Sequence, residues 1–497
     1  MSEEPLTLLS LPARAVRELA APALADAVAY GDPDGVWLSD PTPEPRAYAT
    51  VRDSLSVPVV HPQLGSDGDS VVRHARVDDA LAAVAPDAAP ELDVLTVQSS
   101  AVLDDLAAAF EAGERRPASE RTHLVVPGLD VETDATSLSA TLTASDELTR
   151  LQRATDAPIT VLAGELPAGY HHDWTLDGTT VPVYGCGPPP GHGETPTFAT
   201  LRCVSAGTVA ATPMRTSQFG LRALAGIGAA TATRLHDRGV DSRTDVRETP
   251  VRNLVDVSGV SRANAERMHA HAEVLATGDP LRLTNETLPV TRDDRPPLCL
   301  DIETDGLSPT IIWQVGVYDP HDDSYRSFVE REDPDEPGTI IEAFLEWFLA
   351  THADRTVLTW NGYRFDYPEL ERFIDKHAPH YAEAWADVWT YDLYKWAVRD
   401  GNALLPGRTN KLDDVAAALG FEGAETGLSG AQTAAAYQQF MRTGDPATVD
   451  WGRHERYCED DCRALWHVYA AIRDADRRAT TDTATDSGGT QAGLGDF

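Results

Sequence analysis

The chain has 497 residues, with 79 acidic against 41 basic side chains and a net charge of −38, and its length is enough for about three domains. No apolar run approaches the length of a membrane span and the N-terminus lacks a signal-peptide pattern, so we expect no membrane association. The five cysteines form no C-x-x-C pair, which disfavours a zinc or iron–sulfur site and predicts free thiols in a reducing cytoplasm.

A large negative net charge would ordinarily argue against nucleic acid as a partner, but the composition of this chain weakens that argument. Lysine occurs only at Lys376, Lys395 and Lys411. An acidic, lysine-poor composition resembles that of halophilic proteins, which are adapted to a concentrated-salt cytoplasm. At such ionic strength a Debye length of about 3 Å screens self-repulsion. The acidity therefore does not exclude nucleic-acid binding.

Residues 1–215 predict a separate α/β domain of unknown function. Short apolar runs predict strands at 35–38, 57–60, 94–97, 124–126 and 159–162. Alanine-rich patterns between them predict helices at 13–28, 77–84 and 101–111. Strands that alternate with helices predict a mostly parallel sheet with crossover helices.

The chemistry of this first domain is not evident from its residues. The glycine-rich run 185–193 contains no lysine and no lysine precedes Lys376, so a Walker phosphate loop is absent and a PD-(D/E)xK nuclease is disfavoured. His171, His172 and Asp173 are metal-ligating residue types, but adjacent side chains seldom converge on one ion. We therefore expect an exposed loop there.

Residues 216–278 contain an internal repeat in which a short glycine turn precedes a helical pattern. The first turn is Gly226-Ile227-Gly228, and the second contains Gly259. The repeat resembles a tandem helix-hairpin-helix module.

The resemblance implies that backbone N–H groups at each turn face a DNA phosphate at a helix N-terminus. We expect Arg262 to contribute to this contact. The second copy has Ser261 where its second glycine would stand, which puts its phosphate contact in question. The alternative is two ordinary helix–turn–helix units that pack on each other.

Residues 279–296 predict a linker, because prolines and charges alternate there, and residues 297–476 predict a third domain. Its first strand carries Asp301 and Glu303, which project together because residues two apart share one face of a strand. Neighbouring carboxylates repel unless a cation or a proton lies between them, and Mg²⁺ prefers oxygen ligands. The pair predicts a metal site or, alternatively, two solvated acids at a strand end.

Two further segments follow in chain order. Asn361 and Asp366 follow a second buried-strand pattern, and Tyr457 and Asp461 lie in a helical stretch. The three segments resemble the three motifs of the DEDD 3′–5′ exonuclease superfamily, most closely its YprB-like, ribonuclease H-fold branch of the DEDDy subtype. The resemblance implies an α/β domain built on a ribonuclease H-like mixed sheet with helices.

The same resemblance implies a set of functional residues. The implied metal ligands are Asp301, Glu303, Asp366 and Asp461, and Tyr457 would orient the attacking water. From its own position at a strand end, Asn361 is expected to position substrate rather than bind metal. Lys411 precedes a helical pattern and is expected to contact a substrate phosphate or, alternatively, to be a solvated lysine. Four carboxylates can hold two Mg²⁺ or Mn²⁺ ions about 3.5–4 Å apart. The expected reaction is phosphodiester hydrolysis from a 3′ end, and the helix-hairpin-helix repeat favours DNA over RNA.

Several alternatives remain open from sequence. Asp366 has the position of an N-cap with Glu369 completing a capping box, a role compatible with metal binding. Tyr457 is three residues from Asp460 and four from Asp461, so helix geometry allows either partner; the family pattern selects Asp461. An RNA exonuclease, or a non-catalytic DNA-binding or scaffolding protein on the same fold, is the alternative function.

Residues 477–497 are almost devoid of apolar residues, which predicts a disordered tail. Its last seven residues place Gln491, Leu494 and Phe497 at spacings of three and three. This pattern resembles the sliding-clamp-binding peptide of DNA replication and repair proteins. The resemblance implies a clamp as a partner, and the alternative is a polar tail with two isolated apolar residues.

Overall fold

The computed structural model describes residues 6–40, 44–61, 70–77, 80–88, 90–134, 139–155, 157–168, 170–187, 196–203, 207, 209–288, 295–424, 426–428 and 430–477. Within these ranges no helix has the length and apolar character needed to cross a membrane. The predicted clamp-binding residues Gln491, Leu494 and Phe497 lie outside the described residues.

The N-terminal domain is built from two β-sheets and flanking helices. Its strands are β1 (Leu6–Leu11), β2 (Gly35–Leu38), β3 (Val59–Val60), β4 (Val71–Val77), β5 (Ala80–Ala83), β6 (Leu92–Val97), β7 (Arg121–Val126), β8 (Val131–Asp134), β9 (Ser139–Leu142), β10 (Ile159–Pro167), β11 (His171–Leu176), β12 (Thr179–Gly187), β13 (Thr197–Cys203) and β14 (Val209–Arg215). Its helices are α1 (Ala13–Glu18), α2 (Ala21–Gly31), α3 (Pro45–Ser54), α4 (Leu103–Glu111) and α5 (Ser145–Ala154).

The two sheets pack face to face with helices outside both. In the described residues one sheet has the order β14-β13-β1-β2-β3 and the other β11-β12-β10-β7-β6-β4-β5. Leu8 and Trp37 of the first sheet pack against Val125 and Leu162 of the second in one buried cluster. Helices α1 to α3 cover the outer face of the first sheet, and α4 and α5 cover that of the second.

Three local predictions for this domain are wrong, and a fourth is correct only in part. The sheets are mixed rather than mostly parallel, since β13, β14, β4, β5 and β11 pair antiparallel. The alanine-rich segment 77–84 contains strand β5, because pairing with β4 and burial of Leu81 outweigh helix propensity. The predicted helix 13–28 is two helices, and the second begins at Ala21 with Pro22 in its first turn. His171, predicted in an exposed loop, is exposed but lies in strand β11.

A central helical module follows the last N-terminal strand. It contains α6 (Ala229–His236), α7 (Arg243–Glu248), α8 (Val251–Val255) and α9 (Arg262–Thr277), which enclose one small apolar core. Asp26 of α2 ties this module to both neighbours, because its carboxylate accepts hydrogen bonds from the backbone of Gly220, from Arg243, and from Arg408 of the C-terminal domain. The three parts of the chain are therefore in direct contact.

The C-terminal domain is a second α/β unit. Its strands are β16 (Leu298–Thr304), β17 (Ile312–Asp319), β18 (Ser324–Val329), β19 (Val357–Thr359), β20 (Thr390–Asp392) and β21 (Ala403–Leu404). Its helices are α10 (Thr339–Thr351), α11 (Asp366–His377), α12 (Ala382–Ala386), α13 (Leu412–Ala418), α14 (Gly430–Thr443) and α15 (Trp451–Asp474). The predicted linker carries β15 (Leu281–Arg282), which pairs with β21 and so joins the linker to this domain.

The C-terminal sheet has the order β18-β17-β16-β19-β20, with β16 at its centre. Antiparallel pairing of β16 with β17 and parallel pairing with β19 make it a mixed sheet, as predicted. Helices α10 and α11 cover one face through Leu298, Leu300 and Ile302. Helices α13 and α15 cover the other face, beside Cys299. A central strand covered on both sides is a rigid support for side chains at its end.

Candidate functional site

Alternation along β16 sends Asp301 and Glu303 to one face of the sheet. They follow Cys299, which packs among the residues of α15, whereas Leu300 and Ile302 point to the opposite core. Asp301 pairs in register with Gly316 of β17, and Glu303 with Gln314. The strand therefore directs two carboxylates into the space between the sheet and α15.

Close approach of α15 to the sheet depends on a glycine. A Cβ atom built on Gly316 would lie 2.5 Å from Cys458 Sγ. Cys458 Sγ in turn is 3.9 Å from the carbonyl oxygen of Asp301, and the Sγ of Cys462 is 3.5 Å from that of Gly316. The missing side chain thus lets the helix deliver its own residues beside Asp301.

Helix α15 contributes Tyr457 and Asp461, one turn apart, and both line a cleft together with Asp301. The neighbouring Asp460 points elsewhere, because its carboxylate accepts a hydrogen bond of 2.7 Å from the backbone N–H of Ala424. Of the two adjacent acids, the geometry brings Asp461 and not Asp460 to the cleft.

Asp366 begins helix α11 after the loop that follows β19. It occupies the first helical position rather than the N-cap, which is Phe365 and makes no side-chain capping bond. The capping-box alternative for Asp366 and Glu369 is therefore wrong, and Glu369 instead pairs with Arg372. The carboxylate of Asp366 is buried and belongs to the electrostatic environment of Asp301.

The four carboxylates act on one another. Burial raises the pKa of Asp301 well above its ordinary range, and the charges of Asp461 and Asp366 act in the same direction. Burial likewise raises the pKa of Glu303, with Asp301 as the next cause. Burial raises the pKa values of Asp366 and Asp461 to about 7. This cluster favours bound protons or a cation.

Tyr457 remains a hydrogen-bond donor in this environment. Burial raises the pKa of its phenol above the ordinary value, and the charges of Asp461, Glu303 and Asp301 add to the effect. The hydrogen bond from Tyr457 opposes the rise in the pKa of Asp461. A neutral phenol beside a carboxylate can hold a water molecule by donation or acceptance.

The residues present fit a hard divalent ion. The ligand atoms of Asp301, Glu303 and Cys458 all lie within 4.8 Å of one another. Within the described residues, neither Asp366 nor Asp461 belongs to a group of three possible ligands that meets this distance. Burial raises the pKa of Cys458 well above the thiol value, and a protonated thiol is a poor ligand. The donor set is therefore carboxylate oxygen, which suits Mg²⁺ or Mn²⁺.

The predicted substrate residues border this cluster. Lys411 lines the same cleft as Asp301, Tyr457 and Asp461, and it precedes α13 as predicted. Asn361 lines the adjoining hollow, and its buried side-chain oxygen has no hydrogen-bond partner within the described residues. Both are placed to contact a ligand that extends from the carboxylates.

Three contributors to the site were not predicted from sequence. Asp413, in the first turn of α13, lines the cleft and its charge raises the pKa of Asp461. Trp360 also lines the cleft, and its indole N–H donates to the carbonyl of Asn410. The carboxylate of buried Asp392 accepts backbone hydrogen bonds from Asn361 and Tyr363 and so fixes that turn. The only sequence signal for Asp413 is acid enrichment in a first helical turn.

The first hairpin of the helical module has the expected tight turn. Gly226 adopts φ of +87°, which favours glycine, and Ile227 N–H donates to the carbonyl of Leu224. Gly226 and Gly228 are exposed, and α6 begins immediately after Gly228. The turn thus leaves its glycine backbone accessible at the start of a helix.

The second hairpin differs from the first in the residue that caps its helix, which is a serine instead of a glycine. Gly259 has φ of +80°, but Ser261 is the N-cap of α9 and its hydroxyl accepts from the N–H of Asn264. Arg262 is 83% exposed and pairs with Glu266. The serine thus satisfies a donor that a ligand would otherwise use.

Comparison with known families identifies two regions of the chain. Residues 298–473 match the model of the RNase_H superfamily. Residues 220–273 match the model of the SAM-like helix-hairpin-helix tandem. A comparison with curated proteins finds no match. The chain therefore carries an RNase H-superfamily domain preceded by a tandem helix-hairpin-helix module, an arrangement that indicates a nuclease acting on nucleic acid.

Proposed function

We propose that this protein is a metal-dependent 3′–5′ exonuclease acting on DNA. The observation that carries the proposal is one cleft lined by Asp301, Tyr457 and Asp461, with Glu303 close to Asp301 and the charge of Asp366 acting on Asp301. Buried and half-buried like charges are costly to hold together, and such clusters occur preferentially at functional sites, which supports a catalytic role on this fold.

The proposed roles follow from the position of each group. Asp301, Glu303, Asp366 and Asp461 would hold two Mg²⁺ or Mn²⁺ ions, which supply Lewis-acid activation of water and charge neutralisation at the leaving 3′-oxygen. Tyr457, as a neutral phenol, would orient the attacking water. Lys411 and Asn361 would hold the phosphate and sugar next to the scissile bond.

The finer classification rests on the same residues. We propose the DEDDy subtype and the YprB-like branch, because a tyrosine four residues before the last carboxylate lines the cleft with it. The domain boundaries predicted from sequence, 1–215, 216–278, 279–296, 297–476 and 477–497, remain part of the proposal. The lysine-poor acidic composition supports a halophilic protein of the cytoplasm.

The second candidate function is that of a non-catalytic DNA-binding or scaffolding protein, which would not need an intact set of catalytic residues. Such a protein has no use for all four carboxylates and the tyrosine, and loss of any one would relieve repulsion among the others. All five are present here. The complete set favours the enzyme.

The test is digestion of single- and double-stranded DNA and RNA, labelled at either end, with Mg²⁺ or Mn²⁺ in concentrated KCl. We expect 3′-labelled DNA to release its label at once as mononucleotide, while 5′-labelled DNA gives a shortening ladder. Internal fragments from the start would indicate an endonuclease, and preferred cleavage of RNA would indicate an RNA exonuclease.

Two neighbouring acids provide a matched pair of variants. Asp461→Asn should lower the rate by at least about 10²-fold, because a lost ligand weakens stabilisation of the transition state. Asp460→Asn, which removes the same charge one residue away, should retain most of the activity. Equal loss in both variants, with both folded, would contradict the proposed assignment of the ligands.

We also propose that Gln491, Leu494 and Phe497 bind a sliding clamp. The support is their spacing, since a single helical turn formed on a clamp would bring Leu494 and Phe497 to one side. Calorimetry of a clamp with a peptide of residues 485–497 tests this. Equal heats from that peptide and from one carrying Leu494→Ala and Phe497→Ala would contradict it.

A further inference from the structure

The helix-hairpin-helix module and the carboxylate cluster are joined by one groove. Three hollows of about 460, 820 and 640 Å³ follow one another along the C-terminal domain. Asn410 lines both the first and the second, and Trp360 and Lys411 line both the second and the third. The first hollow includes Gly226 of the first hairpin, and the last includes Asp301.

We propose that this groove is the track of a single nucleic-acid strand, held first at the hairpin and delivered with its 3′ end to the carboxylates. The inference deepens the proposed nuclease function and rests on it for the direction of the strand. It assigns strand-binding roles to Arg215, Arg267 and Trp360, and it extends the role proposed for Lys411.

The charge along the first two hollows of the groove is opposite to that of the chain. Although the sequence has 79 acidic residues, the described residues that line the first two hollows include no aspartate or glutamate. Arg215, Arg267 and Lys411 line the groove and form no ion pair within the described residues. Unpaired cations along the two hollows that lead to the carboxylates match a phosphate backbone.

Aromatic side chains line the second and third hollows together with these cations. Trp360 lies edge-on to Tyr394, with ring centroids 5.5 Å apart. On the wall that the N-terminal domain contributes to the third hollow, His171 stacks on Tyr184 at 4.3 Å. Single-strand grooves combine cations for the backbone with aromatic faces for unpaired bases, whereas duplex DNA offers no free base faces. The occupant that fits is a single strand.

The hairpin is held at a fixed position relative to the cluster. His271 of α9 accepts the backbone N–H of Ala225 at Nδ1, 2.8 Å away, and its Nε2 lies 3.4 Å from the carbonyl oxygen of Leu405. One imidazole thus bridges the first hairpin and the floor of the groove. The bridge keeps the two ends of the track in register.

The test measures binding, not turnover, on the full-length protein in EDTA. A fluorescent single-stranded oligonucleotide of 20 deoxythymidines is titrated by anisotropy at several KCl concentrations. The track variant is Arg215→Gln, Arg267→Gln and Lys411→Gln. The matched control is Arg46→Gln, Arg442→Gln and Lys376→Gln, three exposed residues outside the groove that carry the same charge.

We expect the track variant to bind about 10–100-fold more weakly, and its slope of log K against log[KCl] to fall by about 2, since each single-strand phosphate contact contributes about 0.7. The control should stay within about twofold of the wild type. Because the six residues are at the surface or half-buried, equal thermal midpoints will show that all proteins are folded.

Other outcomes separate the two proposals. Equal weakening by both triple variants, or an unchanged slope, would overturn the track. A blunt duplex that binds as tightly as the single strand and loses affinity equally in the track variant would replace the single-strand track with a duplex surface. If the wild type is an active nuclease but the track variant binds the single strand as tightly as the wild type does, only the track is rejected. The expected binding pattern without any nuclease activity rejects the proposed function alone.

Discussion

Individual side chains set the electrostatics of the carboxylate cluster. Asp301, Glu303, Asp366 and Asp461 are held by a central strand and two helices, so they cannot move apart to relieve repulsion. Desolvation and like charge both favour the protonated form. The folded, metal-free protein therefore binds more protons than the unfolded chain between about pH 4 and pH 7.

Because the folded state binds these extra protons, the stability of the metal-free protein should fall as the pH rises. The pKa values of Asp366 and Asp461 rise to about 7 on folding, so the metal-free protein should lose stability as the pH rises towards 7 and beyond. A divalent ion binds the ionised carboxylates and should restore the lost stability. At an ion concentration a hundred times the dissociation constant, the gain in unfolding free energy is about 2.7 kcal/mol. Thermal melting in EDTA and in excess Mn²⁺, at pH 5 and pH 8, measures both effects.

We expect Mn²⁺ to raise the melting temperature more at pH 8 than at pH 5. The control is Asp460→Asn, which leaves the cluster intact and should behave as the wild type. In Asp461→Asn the metal-dependent rise should shrink, because a ligand is lost. A rise that is the same at both pH values in the wild type would contradict the protonated cluster.

Asp392 provides a test of how the loop after β19 is held. It is buried, and its carboxylate accepts the backbone N–H groups of Asn361 at 2.9 Å, Lys395 at 3.0 Å and Tyr363 at 3.2 Å. Asp392→Ala leaves these donors without a partner and should lower the free energy of unfolding by about 3 kcal/mol. Urea unfolding measures the change.

The matched control for this variant is Asp400→Ala. Asp400 is exposed and pairs with Lys395 at the surface, so its removal should cost less than about 1 kcal/mol. A cost for Asp392→Ala no larger than that for Asp400→Ala would show that the three hydrogen bonds do not hold the turn.

The secondary-structure elements that could be predicted are those with a distinct pattern in their own residues, such as alternating side chains or a glycine turn. The alternation in β16 predicted a shared face for Asp301 and Glu303, and the glycine turns predicted the two hairpins, which the family comparison confirms. The alanines of strand β5 predict a helix locally, whereas pairing with β4 decides its structure. Local patterns contain no information on such pairing.

The parts of the site that join distant segments were not predictable for the same reason. Asp26 and Arg408 are 382 residues apart, and no pattern in either segment indicates the other. The wall formed by His171 and Tyr184 likewise comes from a domain whose residues gave no functional signal. Contacts of this kind depend on domain packing.

The contact between α9 and the floor of the groove should respond to pH. Burial lowers the pKa of His271 to about 4; the hydrogen bond to the carbonyl of Leu405 opposes this, while the charges of Arg267 and Arg243 add to it. The neutral ring bridges two segments, so its contribution is complete above about pH 6.5 and is lost as the pH falls towards 4. At most about 3 kcal/mol of stability is involved.

The variant His271→Gln should remove this component. We expect the difference in unfolding free energy between wild type and variant to be larger at pH 7.5 than at pH 4.5, measured by urea titration at constant salt. His269→Gln, on the same helix, changes a residue with no hydrogen bond to the C-terminal domain within the described residues and is the control. A difference independent of pH would contradict the bridging role.

For the molecule as a whole, charge affects stability and binding in opposite directions. A net charge of −38 destabilises the compact state through self-repulsion, which salt screens, since the Debye length falls from about 10 Å at 0.1 M to about 3 Å at 1 M. Contacts between groove cations and phosphates weaken over the same range. The two effects act on different parts of the protein and can be measured separately.

We therefore predict that raising KCl from about 0.1 to about 2 M increases the melting temperature while it weakens single-strand binding. Activity should then pass through a maximum, at the salt concentration where the protein is folded and the strand is still held. Melting curves and anisotropy at each salt concentration locate the two limits, and replacing KCl with sucrose controls for non-ionic stabilisation. A melting temperature that does not depend on KCl would show that self-repulsion is negligible, and the maximum would then disappear because only the fall in affinity remains.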